Sequence, residues 1–373
     1  MDGVNSPDAD ALVVLAHAVE PGDAIVGRFI ADVGPVAARE ALVAGRSGLR
    51  AGPGLQARLE GIDAEDARRR AASCDARIVT RADAEWPTQL DLLGPQAPVA
   101  LWVRGAANLR LLALRSCAVV GARACTPYGE EVAYGWSAGL AERGWQVVSG
   151  AAFGIDAAAH RGALAAGGST IAFLAGGVDV PYPRAHTAML ERIVDDGLVV
   201  SETPPGEPVR RQRFLSRNRL IAAVSRATLV VEAAERSGTR ATARAAAALQ
   251  RVVAAVPGPV TSPASAGCHR MVQDGEALLV AELADLLALL DLGSATTESA
   301  HELAPTDTAA RDRLGPRERQ VLDAFPARRV VDLTALVRAA GLAPTQVLAA
   351  TGILTASGLV REESGGWRLA PRA

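Results

Sequence analysis

The chain of 373 residues contains no lysine, so all 39 of its basic residues are arginines. The phosphate-binding loop of Walker A proteins needs its lysine, and this absence argues against P-loop ATPase chemistry. Any contact to a phosphate must instead use arginine side chains, backbone N–H groups or hydroxyls.

Aromatic residues and cysteines are also scarce. Aromatics make up 3% of a chain that is 49% hydrophobic, so we expect a core built from Ala, Val and Leu. Its four cysteines, Cys74, Cys117, Cys125 and Cys268, contain no C-x-x-C pair, which favours reduced thiols in a cytoplasmic protein over a disulfide framework. The five histidines are scattered, so we predict no metal site.

Long apolar runs are missing as well. No uninterrupted stretch of about 18 apolar residues occurs, so we predict no membrane span. The first ten residues, MDGVNSPDAD, are acidic where a secretory signal would be basic. Both features favour a cytoplasmic location.

Changes in pattern along the chain divide it into four parts. Residues 1–75 carry apolar residues at three- and four-residue spacing and predict a helical domain, related to SAM or helix-hairpin-helix domains. Residues 76–292 predict the core, and the small polar residues 293–311 predict a linker. Residues 312–373 read as three helices and a hairpin, which favours a winged-helix-like domain. Whether the N-terminal helices contact DNA or serve as scaffold stays open.

The core repeats strand and helix. Its strands are continuous apolar runs, which is typical of parallel strands covered by helices on both faces. The runs are SCAVV, WQVVS, STIAFLA, GLVVS, TLVVEA and RVVAAVP. We therefore predict an α/β fold with an extended Rossmann-like, doubly wound parallel sheet.

One stretch, VRRQRFLSRNRLIAA, holds five arginines and one aromatic residue in a chain whose net charge is −2. Unpaired arginines this close repel one another by roughly 1 kcal/mol per neighbouring pair, which an anionic partner would relieve. Arginines beside Phe214 suit single-stranded nucleic acid, which offers both phosphates and open base faces. Internal salt bridges are the alternative. The arginines are Arg210, Arg211, Arg213, Arg217 and Arg219.

Ligands of open parallel sheets bind beyond the carboxyl ends of the strands. Gly121–Arg123 follows the first core strand, Ser149 and Gly150 follow the second, and the Ser237–Gly238 turn opens a helix after the fifth. A helix N-terminus attracts anions, so we expect these residues and the arginine run to form one phosphate-binding groove. The Ser237 turn is alternatively a helix cap.

Asp156 and His160 lie four residues apart on a predicted helix and share one face. They form a candidate acid/base pair. The favoured interpretation is structural, with Asp156 capping the helix and His160 making a buried polar contact.

Seven motifs in order resemble the DNA-processing protein A family, also called DprA or Smf, over roughly residues 80–285. They are VVGAR, VVSGAAFGIDAAAHRGAL, TIAFLAGGVDVPYP, SETPPG, RFLSRNRLIA, VVEAAERSGTRATA and VPGPVTSPASAGCHRMVQDG. The resemblance implies a cytoplasmic homodimer that binds single-stranded DNA without strong sequence preference and loads the RecA recombinase during natural transformation. It implies no catalytic activity and no cofactor.

By motif match, Arg123 would hold a phosphate, Arg211 would make a basic contact, and Phe214 would stack or wedge against a base. His186 and His269 stand where the family commonly has asparagine, and Leu215 replaces a frequent proline. The resemblance and the strand ends together predict a DNA-binding set of Gly121, Arg123, Ser149, Gly150, Arg211, Arg213, Phe214, Arg217, Asn218, Arg219, Ser237 and Gly238.

The main alternative is a nucleotide-binding enzyme of the lysine-decarboxylase-like phosphoribohydrolase type. The P-G-G-x-G-T signature of that type is missing, because Glu235 and Arg236 precede the SGT at Ser237. Elsewhere, the apolar helix Val280–Leu292 predicts either a dimer surface or core packing. The segment Leu342–Val360, around the second helix of the winged-helix pattern, has no charged residue and predicts a protein contact rather than DNA binding.

Overall fold

The computed structural model divides the chain into two compact units, residues 1–294 and 295–373. The N-terminal helices therefore share a unit with the α/β core, and the predicted domain boundaries stay predictions. Across the part of the chain that the structure describes, no single helix is long and apolar enough to span a membrane, and Leu333–Ala340 with Pro344–Thr355 reach that length only as a pair bent by 103°. The described residues are 6–49, 54–235, 237–292, 314–326, 329–357, 359–363 and 366–370.

Five helices occupy the segment predicted to be helical. Side chains that accept backbone N–H groups fix where several of them begin: Ser6 caps the first, Asp23 the second and Asp63 the fifth. Their apolar faces close around Leu15 and Leu59, which are both fully buried. The helices are α1 (Pro7–Ala18), α2 (Ala24–Val33), α3 (Pro35–Val43), α4 (Leu55–Glu60) and α5 (Ala64–Ala72).

The core is a nine-stranded, mostly parallel sheet, so the predicted α/β fold class is confirmed. The continuous apolar runs form its central strands, and every residue of Ser116–Val120 and Thr170–Leu174 is buried. The strands are β1 (Ala76–Val79), β2 (Leu101–Arg104), β3 (Ser116–Val120), β4 (Gln146–Ser149), β5 (Thr170–Leu174), β6 (Leu198–Ser201), β7 (Ala227–Val230), β8 (Val252–Ala255) and β9 (Leu278–Leu279).

The order of the strands determines where a crevice opens at the carboxyl ends of the sheet. It runs β1-β2-β6-β5-β4-β3-β7-β8-β9. Strand β2 pairs antiparallel with both β1 and β6, and the seven strands from β6 to β9 in this order pair parallel. The chain winds outward from β3 to β6 and then returns to place β7 on the other side of β3. A crevice therefore opens between the carboxyl ends of β3 and β7, where ligands of such sheets bind.

Helices cover both faces of the sheet. One face carries α6 (Leu109–Leu114), α10, α11 and α12, and the other carries α7, α8, α9 and α13. Leu286 and Leu290 of α13 are buried against the sheet, so part of this helix serves core packing. The remaining helices are α7 (Pro127–Glu142), α8 (Ile155–Ala165), α9 (Thr187–Asp196), α10 (Arg211–Val224), α11 (Thr239–Ala248), α12 (Ala266–Gln273) and α13 (Leu283–Leu292).

The arginine run forms most of α10, the connection that returns from β6 to β7. The helix therefore crosses one face of the sheet, and its second half is buried: Leu220 and Ile221 pack in the same core cluster as Phe173 of β5. This path places the arginine-rich first half of α10 beside the crevice between β3 and β7.

The second unit has its own core, centred on Val321, Leu336 and Leu354. Its elements are α14 (Pro316–Asp323), α15 (Leu333–Ala340), α16 (Pro344–Ala356), β10 (Val360–Glu363) and β11 (Gly366–Leu369), the last two antiparallel. Three helices and a hairpin match the predicted elements, and the winged-helix assignment stays a prediction.

Candidate functional site

A pocket of about 640 Å³ opens at the crevice between β3 and β7. It is bounded by the turn after β3, by α10 and by the start of α11. Seven residues of the predicted set lie in its wall: Gly121, Arg123, Phe214, Arg217, Asn218, Ser237 and Gly238. We call it the Phe214 pocket.

The turn after β3 is held tightly against α8. A side chain added at Gly121 would begin 2.5 Å from Ile155 Cγ1, so this position admits only glycine without a shift. Ile155 donates its backbone N–H to Ala122 O at 3.2 Å. The close approach fixes the backbone from which the Arg123 side chain projects over the pocket.

Arg123 and Phe214 meet above the pocket. The Arg123 Cζ atom lies 4.7 Å from the centroid of the Phe214 ring, a cation–π arrangement. Tyr182 packs on the same ring with centroids 5.6 Å apart. Among the described residues, no carboxylate forms an ion pair with Arg123. Its charge is therefore available to an anion, and its guanidinium plane is steadied by the ring.

The five arginines of the run separate into two groups. Arg211 is exposed, and Arg210 makes long contacts of 3.5 and 3.6 Å to Glu20 and Glu207. Arg213, Arg217 and Arg219 are all less than 8% exposed. Three members of the expected cationic surface thus face the interior of the protein.

Arg213 is bound by two carboxylates of its own chain. Its Nε and Nη2 atoms donate to Glu20 and its Nη1 atom donates to Glu207, each at 3.2 Å. Partial burial opposes ionisation of Glu20, but the hydrogen bond and charge of Arg213 outweigh it, and the pKa of Glu20 is lowered. The predicted direct DNA contact of Arg213 is corrected accordingly: Arg213 ties the segment after α1 to the start of α10.

Arg219 also has internal partners. It donates to Glu202 at 2.7 Å, to Gln96 O at 2.9 Å and to Ser216 O at 2.6 Å. Burial raises the pKa of Glu202, and the charge of Arg219 opposes that rise. Every arm of the Arg219 guanidinium is occupied inside the protein, so this residue is likewise corrected from a DNA contact to a structural one.

Arg217 lies in the floor of the Phe214 pocket. Its Nη1 atom donates to Phe173 O at 2.9 Å, while its buried Nε atom has no hydrogen-bond partner. Burial lowers the pKa of Arg217 to about 10, and the nearby Asp156 opposes that shift. Gly150 makes room for this side chain, because a Cβ atom there would lie 1.5 Å from Arg217 Nη1.

Ser149 and Gly150 lie beneath the pocket rather than in its wall. Ser149 is fully buried and donates from Oγ to Val119 O at 2.6 Å, which links β4 to β3. The expectation that both residues line the pocket is therefore corrected. The carboxyl end of β4 is one strand away from the crevice, and its residues support the floor.

Asp156 and His160 are both engaged in internal hydrogen bonds. Asp156 accepts the backbone N–H groups of Gly150 and Ala152 at 3.2 and 3.4 Å, and burial raises its pKa against the opposing charge of Arg217. His160 Nδ1 lies 2.8 Å from Thr170 Oγ1, and burial together with the charge of Arg217 lowers the pKa of His160 to about 3. His160 therefore makes the predicted buried polar contact. Asp156 does not cap the helix as predicted: Gly154 is the N-cap of α8, no side chain caps it, and Asp156 instead holds the loop between β4 and α8.

The turn before α11 lines the pocket, but it supplies no side-chain cap, because Gly238 is the N-cap of this helix. Ser237 Oγ accepts the N–H of Thr239 at 3.0 Å, and Thr239 Oγ1 donates to Gly121 O at 3.0 Å. The second bond joins the two turns on either side of the crevice. The positive end of α11 therefore faces the pocket from a fixed position.

Two residues that help to build the site, Glu232 and Tyr182, were not singled out from the sequence. Glu232, which is 1% exposed, accepts the backbone N–H and the hydroxyl of Thr126 at 2.9 and 2.6 Å. This bond holds the residue that caps α7. Tyr182 was missed because one tyrosine after a strand carries no distinctive pattern.

The two histidines at family asparagine positions bind backbone carbonyls. His186 Nδ1 lies 3.0 Å from Ala151 O, and His269 Nε2 lies 3.0 Å from Gly258 O. In each case an imidazole N–H supplies the donor that an amide would supply. Within the described ranges, no group of three or more His, Cys, Asp or Glu residues is placed to hold a metal ion.

Fold and pocket define a Rossmann-like α/β protein with an arginine and an aromatic ring at the topological switch point. The family model of DNA recombination-mediator protein A matches residues 77–291. A putative DNA processing protein DprA of Mycobacterium tuberculosis is 43% identical over 374 residues, covering 97% of this chain and 95% of its own length. The chain belongs to the DNA recombination-mediator protein A family.

Two solved structures extend the comparison. DNA processing protein A of Streptococcus pneumoniae matches with a TM-score of 0.65 and 33% identity, over 76% of this chain and 98% of that chain. The Helicobacter pylori protein matches with a TM-score of 0.52 and 26% identity, over 58% of this chain and 96% of that chain. The latter structure describes a single-stranded DNA binding mode of the H. pylori protein.

Proposed function

We propose that this protein binds single-stranded DNA in the Phe214 pocket and passes the strand to the RecA recombinase during DNA uptake. The observation that carries the proposal is the unpaired Arg123 guanidinium held over the Phe214 ring, 4.7 Å from its centroid, at the mouth of an open pocket. Arg123 and Arg211 bind phosphates, and Phe214 stacks on a base. The binding mode described for the H. pylori relative supports the same ligand here.

The chemistry of the pocket favours a single strand over a duplex. An aromatic ring gains stacking energy only from a base whose face is open, which a duplex conceals. Binding in this pocket depends on phosphate contacts and on stacking, neither of which reads base edges, so it tolerates any sequence. Membership of a recombination-mediator family supports transfer to RecA, a homodimer in the cytoplasm and a role without catalysis.

The test is fluorescence anisotropy of labelled oligo-dT and of a duplex across a salt series. We expect single strands to bind much more tightly than duplex. Each phosphate contact contributes about 0.7 to the slope of log affinity against log salt for single strands, so replacing both Arg123 and Arg211 with Ala should flatten that slope by about 1.4. Arg110→Ala is the matched control, because Arg110 is exposed on α6, which leads into the amino end of β3. Absence of oligo-dT binding by the wild type at low salt would refute the proposal.

The phosphoribohydrolase alternative has less support. Two carboxylates lie near the crevice, and both are engaged inside the protein. Asp156 in the pocket wall accepts the backbone N–H groups of Gly150 and Ala152, and Glu232 is buried and bonded to Thr126. Release of free base from nucleoside monophosphates at high protein concentration would nevertheless establish the enzyme, and the recombination role would then be abandoned.

A further inference from the structure

A second open cavity lies on the other side of Arg123. It has a volume of about 500 Å³, and its wall includes Arg123, Phe153, Arg161 and His186. Arg123 and Ala124 belong to the walls of both cavities. We call this second cavity the Phe153 pocket. The two pockets therefore meet at one arginine, with an aromatic ring on each side of it.

Phe153 is the conspicuous group in this pocket. Phe153 is 49% exposed, whereas Phe173 and Phe325 are buried and Phe29 and Phe214 are half-buried. Its ring meets His186 in an edge contact with centroids 4.8 Å apart. Much of a large apolar side chain is thus left to solvent, beside an arginine that has no carboxylate partner among the described residues.

The backbone holds Phe153 in this exposed position. Ala151 has a φ of 54°, a left-handed conformation that non-glycine residues rarely adopt. His186 Nδ1 donates to the carbonyl of the same residue at 3.0 Å. The loop that carries Phe153 is therefore fixed by a specific hydrogen bond, and the exposure of the ring is built into the fold.

The loop is also joined to the turn that carries Arg123. Gly154 has a φ of 76°, and a side chain there would begin 2.3 Å from Ala122 O and 2.5 Å from Arg123 O. Ile155 donates to Ala122 O at 3.2 Å. Because these backbones are in contact, the positions of Phe153 and Arg123 are set relative to each other.

We propose that Phe153 is a second stacking platform, which binds a nucleobase of the same DNA strand whose phosphate is held by Arg123. This inference rests on the proposed function and extends the path of the strand from the Phe214 pocket across Arg123 into the Phe153 pocket. A ring, a cation and a second ring in sequence match the alternation of base, phosphate and base along a single strand. Arg161 at the far wall is paired with Glu130 at 2.7 Å, which leaves Arg123 as the phosphate ligand of this pocket.

The experiment compares Phe153→Ala, Phe214→Ala and wild type by anisotropy on two ligands, oligo-dT and an abasic strand of equal length. Loss of one stacked base predicts roughly tenfold weaker binding of oligo-dT for each variant. On the abasic strand, all three proteins should bind alike, because there is no base to stack. Phe153→Trp should restore oligo-dT binding. Tyr134→Ala is the matched control, because Tyr134 is 42% exposed and lies in the wall of neither pocket.

Each other outcome has a defined meaning. If Phe153→Ala binds oligo-dT like wild type while Phe214→Ala is weakened, the second platform is refuted and the proposed function stands. If Phe153→Ala weakens both ligands equally, the ring only supports the Arg123 turn, and stacking is refuted. If the variant changes the mass of the protein in light scattering and leaves binding unchanged, Phe153 is a contact between copies. Failure of the wild type to bind oligo-dT refutes both proposals.

Discussion

Arg211 and Arg213 stand two residues apart in the same arginine-rich run, yet they have opposite environments. Arg211 is exposed at the start of α10 and is not among the residues that line the Phe214 pocket, whereas Arg213 is 5% exposed and binds Glu20 and Glu207. The same division holds between Arg123, whose charge has no carboxylate partner in the described part of the chain, and Arg219, which is paired with Glu202. The clustered arginines therefore have two environments: exposed arginines whose charge faces solvent, and buried arginines whose ion pairs hold α10 in position.

The largest expected effect is the loss of folding stability on removing a buried arginine. Arg219 and Glu202 are 9% and 10% exposed at their side chains, so Arg219→Ala leaves the Glu202 carboxylate without its cationic partner in a poorly solvated site. We expect a loss of about 3–5 kcal/mol in the free energy of unfolding. Arg211→Ala is the control at an exposed position and should change stability by less than about 0.5 kcal/mol. Urea denaturation measures the stability of both variants. Equal stabilities would contradict the distinction between buried and exposed arginines.

The free energy of unfolding should also depend on pH through a buried histidine, His160. Burial lowers the pKa of His160 from its ordinary 6.5 to about 3, so between these values the unfolded chain binds a proton that the folded protein does not. This contribution to stability is complete above pH 6.5 and falls as the pH drops, by about 2 kcal/mol between pH 6.5 and 5.

His160→Gln is the matched variant for the pH prediction, because an amide does not titrate in this range. The slope of unfolding free energy against pH between 5 and 6.5 should be shallower in the variant, whatever its absolute stability. An unchanged slope would show that His160 takes up protons alike in the folded and the unfolded protein, which would contradict its lowered pKa.

Two variants within α10 compare an exposed and a buried arginine in their effect on DNA binding. We expect Arg211→Ala to keep the thermal midpoint of the wild type and to flatten the salt slope of oligo-dT binding by about 0.7, the loss of one phosphate contact. Arg213→Ala should lower the thermal midpoint and keep the salt slope. Anisotropy and thermal unfolding of the two variants, measured side by side, decide the matter. A flattened slope in Arg213→Ala would return that residue to the DNA surface.

The smallest effect is expected from the second compact unit. Residues 342–360 carry no charge, and phosphate contacts dominate the affinity of proteins for nucleic acid. Removing residues 312–373 should therefore change oligo-dT affinity by less than tenfold. A larger loss, measured by the same anisotropy titration, would mean that this unit holds DNA after all.

Much of the core could be predicted because its signals are local. Continuous apolar runs predicted β3 to β8, and the glycines and arginine after β3 marked the crevice, since strand order and chain direction determine which turns meet. The two-residue strand β9 was missed, because two leucines carry no pattern. Strands β1 and β2 fall within the residues predicted as core, and they continue the sheet beyond β6.

Whether each arginine is buried or exposed could not be predicted, because each buried one has a partner far away in the chain. Glu20, the partner of Arg213, is 193 residues away in the chain, and no local pattern joins the two. Ser149 follows a strand as a ligand-binding residue would, yet its hydroxyl bonds to Val119 of the neighbouring strand. Phe153 was overlooked among alanines and glycines, because its exposure results from the conformations of Ala151 and Gly154 rather than from its sequence context.

The bond between Glu20 and Arg213 has a consequence for how the molecule can be dissected. Glu20 follows α1, and a Cβ atom at its neighbour Gly22 would lie 3.2 Å from the Arg219 guanidinium carbon. A shortened protein beginning near residue 76 would lose both neighbours, leaving Arg213 without one of its two carboxylates and Arg219 less covered. Such a fragment would attract polyanions of every kind more strongly than the intact chain does. The segment after α1 thus supplies a carboxylate that balances the charge of α10, and we expect any preference for one polyanion over another to depend on the whole 1–294 unit.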